Sequence, residues 1–156
     1  MIRRGALALM LIAAPAAARE SVGVFGSWGA FVDSSPARCF AIARPAQGGG
    51  GMPFAGVATW PARGARNQLY IRLSRLRNPR ARVTLSVGER RFDLIASATD
   101  AWAPDASVDA AIVTAMRAGR SMSVETLARD GAPFADVYTL RGAATAIDAA
   151  AIACIR

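Results

Sequence analysis

The chain has 156 residues, 53% of them hydrophobic, and a formal net charge of +8 from 19 basic against 11 acidic side chains. Every basic residue is arginine; histidine and lysine do not occur. This composition removes the side chains most used for proton transfer and metal binding near neutral pH, and it argues against a histidine- or lysine-assisted nucleophile and against a conventional metal centre.

Residues 1–18 have the three parts of a secretory signal. Arg3 and Arg4 form a basic start, Gly5 to Ala14 an apolar stretch with Leu7, Leu9, Met10, Leu11 and Ile12, and Ala16-Ala17-Ala18 a small-residue cleavage site. The apolar run is well short of the roughly 20 residues that cross a bilayer. The expectation is a cleaved signal, a product beginning at Arg19 or Glu20, and a periplasmic or secreted location. The remainder, residues 19–156, is long enough for a single domain and holds no further membrane-crossing segment. Without Arg3 and Arg4 its seventeen arginines face eleven acids, a net charge of +6. Cys39 and Cys154 are the only thiols. In an oxidising compartment their natural state is a structural disulfide, because no CxxC spacing and no histidine partner favours a reactive thiol.

Val22 to Val32, rich in glycine and aromatics, reads as one irregular strand, and Arg38 to Ala43 as a short strand carrying Cys39. Gln47 to Gly56 reads as a loop, since Gly48 to Gly51 are not followed by the Gly-Lys-Ser/Thr of a phosphate loop. From Gln68 the pattern sharpens: Leu69, Ile71 and Leu73 alternate with Gln68, Tyr70 and Arg72, the period of a half-buried strand. Val83, Leu85 and Val87 repeat it, and Gly88-Glu89 turns the chain into a second strand over Arg90 to Ala96. Val108, Ala111, Ile112, Ala115 and Met116 then fall at helical spacing, with Asp105 or Ser107 as N-cap and Gly119 beyond the end. Two more strands are expected at Ser121 to Leu127 and Phe134 to Leu140, separated by the turn Asp130-Gly131. The alanine-rich segment Ala143 to Ala153 reads as a helix whose stripe Ala144, Ile147, Ala151 and Cys154 faces the core. The fold class is mainly β, an antiparallel β-sandwich or barrel-like sheet with one internal and one C-terminal helix.

The ordered series Asp100-Ala101-Trp102-Ala103, Ala115-Met116-Arg117-Ala118-Gly119, Met122 and Val124, Asp130-Gly131, Asp136 to Gly142 and a closing Cys154 resembles the invasion-associated locus B family of bacterial envelope proteins. Trp28, Cys39 and Pro45 agree more loosely. The resemblance implies a secreted or periplasmic, mainly β domain and an association with host-cell entry that need not extend to every member. It supplies no catalytic residues.

Residues 63–91 hold nine arginines against the single acid Glu89. Arg72, Arg75, Arg77, Arg80 and Arg82 are the candidate surface for an anionic partner, with the solvent face of a sheet as the plainer alternative. Nucleic acid is not expected as a partner of an exported protein. Asp100, Asp105 and Asp109 match no calcium-loop spacing and read as acids at a helix start. Trp60, between Thr59 and Pro61, reads as an exposed loop tryptophan, and Trp102 marks a candidate pocket between the sheet and the 108–116 helix. No catalytic, cofactor or metal residues are assigned. The functional expectation is a non-enzymatic envelope protein that binds a protein or an anionic surface polymer, with a periplasmic small-ligand module as the alternative.

Overall fold

The computed structural model describes residues 19–47 and 50–155. The signal read at residues 1–18, and Gly48 and Gly49 of the glycine run, lie outside them. The strands are β1 (Arg19–Phe25), β2 (Trp28–Ser34), β3 (Ala37–Ala43), β4 (Phe54–Trp60), β5 (Ala65–Arg72), β6 (Val83–Val87), β7 (Arg90–Ala96), β8 (Asp100–Trp102), β9 (Ser121–Leu127) and β10 (Pro133–Thr139). The helices are α1 (Ala106–Ala118) and α2 (Ala143–Ala153). The chain is mainly β: ten antiparallel strands form one sheet in the order β1-β2-β3-β4-β5-β8-β7-β6-β9-β10. Its ends curl toward each other. Ala46 N–H donates to Val137 O at 2.7 Å and Val137 N–H to Gln47 O at 2.8 Å, so the segment after β3 covers part of the β10 edge. Among the described residues no helix is long and apolar enough to cross a membrane.

Alternation decides what the sheet encloses. Leu69 and Ile71 of β5, Val83, Leu85 and Val87 of β6, Met122 and Val124 of β9 and Tyr138 of β10 are all buried on the inner face. Ile112, Val113 and Met116 of α1 and Ala146 and Ile147 of α2 join the same core. Each large apolar side chain removed from water contributes about 1.5–3 kcal/mol. Trp28 is fully buried, and its indole N–H donates to Thr139 O at 2.9 Å, which ties β2 to the end of β10. Beneath α2 the inner face is built from smaller residues, Ala30, Ala41, Ala43, Ala55 and Val57. The Cys39–Cys154 disulfide closes this region, with Cα atoms 5.7 Å apart across 115 residues of sequence.

Several sequence expectations are corrected. The segment 22–32 is a hairpin, not one strand: Gly26 takes φ 58° and Ser27 N–H donates to Arg141 O at 3.1 Å, so the chain reverses between β1 and β2. The loop read over 47–56 ends earlier, because Phe54 already pairs with Arg72. Trp60 therefore closes β4 and is half-buried instead of lying on a loop. On α2 the buried stripe is Ala143, Ala146, Ile147 and Ala150, rotated from the one expected. Gly142 sets that rotation. It has φ 88°, and a Cβ there would collide with Phe25 O, so α2 begins hard against the β1–β2 turn.

Of the three acids read at the helix start, only Asp105 caps, accepting from Ser107 N at 2.8 Å and Val108 N at 3.0 Å. Asp109 is buried and reaches away from its own helix to accept Leu69 N–H at 2.8 Å. Strand β8 pairs with β5 only over Tyr70 to Arg72, so α1 supplies the acceptor that β8 no longer reaches. Burial raises the Asp109 pKa, outweighing the hydrogen bond from Leu69.

Reducing the protein, or replacing both cysteines by serine, is expected to lower its unfolding free energy by up to about 4–5 kcal/mol in chain-entropy terms, read from urea midpoints with and without reductant. Asp109→Ala leaves Leu69 N–H unpaired and is expected to cost about 1–3 kcal/mol. A raised folded pKa favours the native state below the unfolded value, and that contribution disappears as pH rises through the folded value. Asp109→Asn keeps an acceptor without the charge, so its stability relative to the parent is expected to improve on going from acid to neutral pH.

Candidate functional site

The face of β3, β4 and β5 turned away from the helices carries a groove of about 660 Å³. Strand register assembles it in three rows. Phe40 lies beside Ala58, which lies beside Gln68; Ile42 beside Gly56, then Tyr70, then Trp102; Phe54 beside Arg72, then Asp100. Gly56 and Ala58 keep the floor low, while Phe40, Phe54, Trp60, Tyr70 and Trp102 line it. A Cβ on Gly56 would already lie 3.3 Å from Ala41 O, so this glycine also lets β3 and β4 lie close.

Guanidinium groups sit over the rings. Arg38 lies 4.7 Å from the Phe40 centroid and 5.3 Å from that of Trp60, and Arg63 lies 5.1 Å from Trp60 on its own account. Arg19 lies 5.2 Å from Phe40 and Arg72 6.0 Å from Phe54. Phe31 stacks on Phe40 at 5.7 Å and Phe54 on Tyr70 at 5.8 Å, which fixes the ring planes.

The charges at the two ends differ. At the Trp60 end Asp33 accepts from Arg19 Nε at 2.8 Å and from Arg38 Nε at 2.8 Å, so one carboxylate serves two guanidiniums. Arg63 makes no ion pair among the described residues. At the Phe54 end Arg72 Nε donates to Asp100 at 2.6 Å and Tyr70 Oη to the same oxygen at 2.8 Å, a matched pair. The hydrogen bond from Arg19, helped by Arg38, holds the Asp33 pKa below the ordinary carboxylate range. Burial pushes Asp100 up, but hydrogen bonds from Tyr70, Thr99 and Arg72 outweigh it and leave its pKa lowered. Neither groove carboxylate is therefore set up to donate a proton near neutral pH. Among the described residues no cluster of three or more potential metal ligands occurs.

Trp102 lines the groove on the sheet face opposite to α1, not a pocket between sheet and helix, because its inward neighbours Ala101 and Ala103 are the ones that meet the core. The five candidate arginines are not one surface. Arg72 enters the groove; Arg75 pairs with Asp130 at 3.1 Å; Arg82 lies 3.8 Å from Asp93 with both side chains largely in solvent; Arg80 is exposed. Arg77 is committed to backbone carbonyls, donating to Ser97 O at 2.6 Å, Ala81 O at 2.7 Å, Asn78 O at 2.9 Å and Ala96 O at 3.0 Å. It fastens the 73–82 crossover to the end of β7. Sequence reasoning missed Arg19, Arg38, Phe40 and Phe54, and counted Arg63 only as part of the 63–91 run. The available trace was the outward-facing set Arg38 and Phe40, Phe54 and Trp60, and Tyr70 and Arg72, rings and arginines on the face where a half-buried strand ordinarily presents polar groups.

No family model, no curated protein and no solved structure matches the chain.

Acid should loosen the Asp33 cluster. A depressed folded pKa stabilises the native state above the unfolded value, and the contribution is lost as pH falls through the folded value. Asp33→Asn is expected to flatten the loss of stability between pH 5 and acid by less than about 1 kcal/mol, because its arginine partners face solvent, as read by urea unfolding across that range.

Proposed function

We propose that this chain is an exported, non-enzymatic binding protein of the bacterial envelope, of the invasion-associated locus B type, and that the aromatic and arginine groove is its binding surface. The observation that carries the reading is the set of rings, Phe40, Trp60 and Phe54, each with a guanidinium over it on the sheet face turned away from the helices. A groove of this size with apolar walls and a few fixed polar groups has the form of a ligand site. Arg63 rests its face on the Trp60 ring and makes no ion pair among the described residues, so its N–H edge is left for a carboxylate or phosphate oxygen. Export is supported by the three-part segment at residues 1–18 and by the Cys39–Cys154 bridge, which belongs to an oxidising compartment. The family reading rests on the ordered residues from Asp100 to Cys154.

The test is location-specific capture. A photo-cross-linking residue at position 58, on the groove floor, is expected to capture a reproducible partner or ligand in cells, whereas the same residue at exposed position 80 captures none. Ala58→Leu, which fills the floor, is expected to abolish capture by a cross-linker at Trp60 while leaving the fold intact by circular dichroism. Equal capture at positions 58 and 80, or protein found only in the cytoplasm, would sink the proposal.

A further inference from the structure

The groove is electrically lopsided, and its middle offers little for a polar ligand to bond. At one end Arg19 and Arg38 share the single carboxylate of Asp33 and Arg63 stacks on the Trp60 ring at the rim; at the other, Arg72 is matched by Asp100. Between them the floor is Ile42, Gly56 and Ala58, with the Gln68 amide at its margin. A glycan laid here would exchange water for apolar surface at most of its hydroxyls, each unpaired one costing about 1–3 kcal/mol. A polyanion would need cations along the whole length, and the second end supplies none in excess. From Trp60 to Phe54 is six steps along β4, roughly 20 Å at about 3.3 Å per residue, enough for an extended chain of a dozen carbons beside a head group.

Resting on the groove as the binding surface, we infer that its ligand is a single-chain amphipathic acid, with the anionic head at Arg38 and Arg63 and the apolar tail lying over Gly56 and Ala58 toward Phe54. The head meets an excess of guanidinium. The tail displaces water from rings and small aliphatic side chains. Arg63 is the informative position, because its removal takes one cation from the head site without releasing Asp33.

The experiment titrates protein recovered after expression of the full sequence with dodecanoate below its micelle concentration, with 1-dodecanol, and with polygalacturonate. Tryptophan fluorescence is the readout, since Trp60 and Trp102 line the groove while Trp28 is buried in the core. Saturable binding of dodecanoate at least about tenfold tighter than dodecanol is expected, and Arg63→Ala is expected to weaken dodecanoate by about tenfold, the size of one charge-assisted hydrogen bond, without moving dodecanol. Ala58→Leu should weaken both. Equal affinity for acid and alcohol overturns the head assignment. Saturable polygalacturonate binding without dodecanoate binding overturns the ligand class and leaves the groove as a polyanion site. No response to any probe, alongside capture by the cross-linker at position 58, also overturns the acid and keeps the groove; failure of both removes the groove itself.

Discussion

The pleat of β3 is the constraint on which both faces of this molecule depend. Cys39 points inward to Cys154, and its neighbours Arg38 and Phe40 point outward into the groove. Holding the end of α2 against β3 from inside therefore also fixes where the ring of Phe40 and the guanidinium of Arg38 stand outside. A bridge elsewhere on α2 would stabilise the chain in the same entropic sense but would leave that wall to packing alone. Register carries the effect further: Phe40 sets the place of Ala58, Ala58 that of Gln68, and Ile42 that of Gly56, Tyr70 and Trp102.

The middle of the sheet is thin on both sides, for two different reasons. Inward, Ala41, Ala43 and Ala55 let α2 lie close to the strands. Outward, Gly56 and Ala58 leave a hollow between aromatic walls. Strands with so little apolar bulk bury less area than β5 or β6, so this region leans on the disulfide, on the Trp28 to Thr139 hydrogen bond and on α2 to a degree that the opposite end of the sheet does not. The hollow and the dependence on cross-bracing have the same origin.

What could be read from the sequence tracked the contrast between neighbouring residues. Over 69–73 and 83–87 apolar and polar side chains alternate cleanly, 90–96 keeps the period through Phe92 and Leu94, and those strands stand where the period put them. Helix α1 was equally plain, and of its two candidate caps, Asp105 and Ser107, it is Asp105 that caps. Where alanine and glycine dominate, contrast vanishes. The first hairpin merged into one strand because Gly23, Gly26 and Gly29 blur its turn, β4 went unread because its start follows the glycine run and Gly56 and Ala58 give it little contrast, and α2, apolar on nearly every side, suggested a stripe rotated from the one that Gly142 and Phe25 fix. Asp109 looked like a helix-start acid because nothing in the local sequence reveals an unpaired N–H forty residues earlier. The groove was hidden for a related reason: its residues come from separate strands, and only pairing register brings Ile42, Gly56, Tyr70 and Trp102 into one row. The dense arginine run between 63 and 91 read as one patch, but its members part: Arg63 and Arg72 stand at the groove, Arg75 and Arg82 meet carboxylates, Arg77 clamps carbonyls and Arg80 faces solvent.

Every side-chain cation around the groove is a guanidinium, and guanidinium stays protonated throughout the physiological pH range. The carboxylates that balance it, Asp33 and Asp100, are both held ionised to below their ordinary range. The surface therefore has a constant electrostatic character through the neutral and mildly acidic range, with no side-chain proton switch of its own. Anything it holds must leave by dilution, by competition from other anions, or because the cargo itself gains a proton and loses its charge.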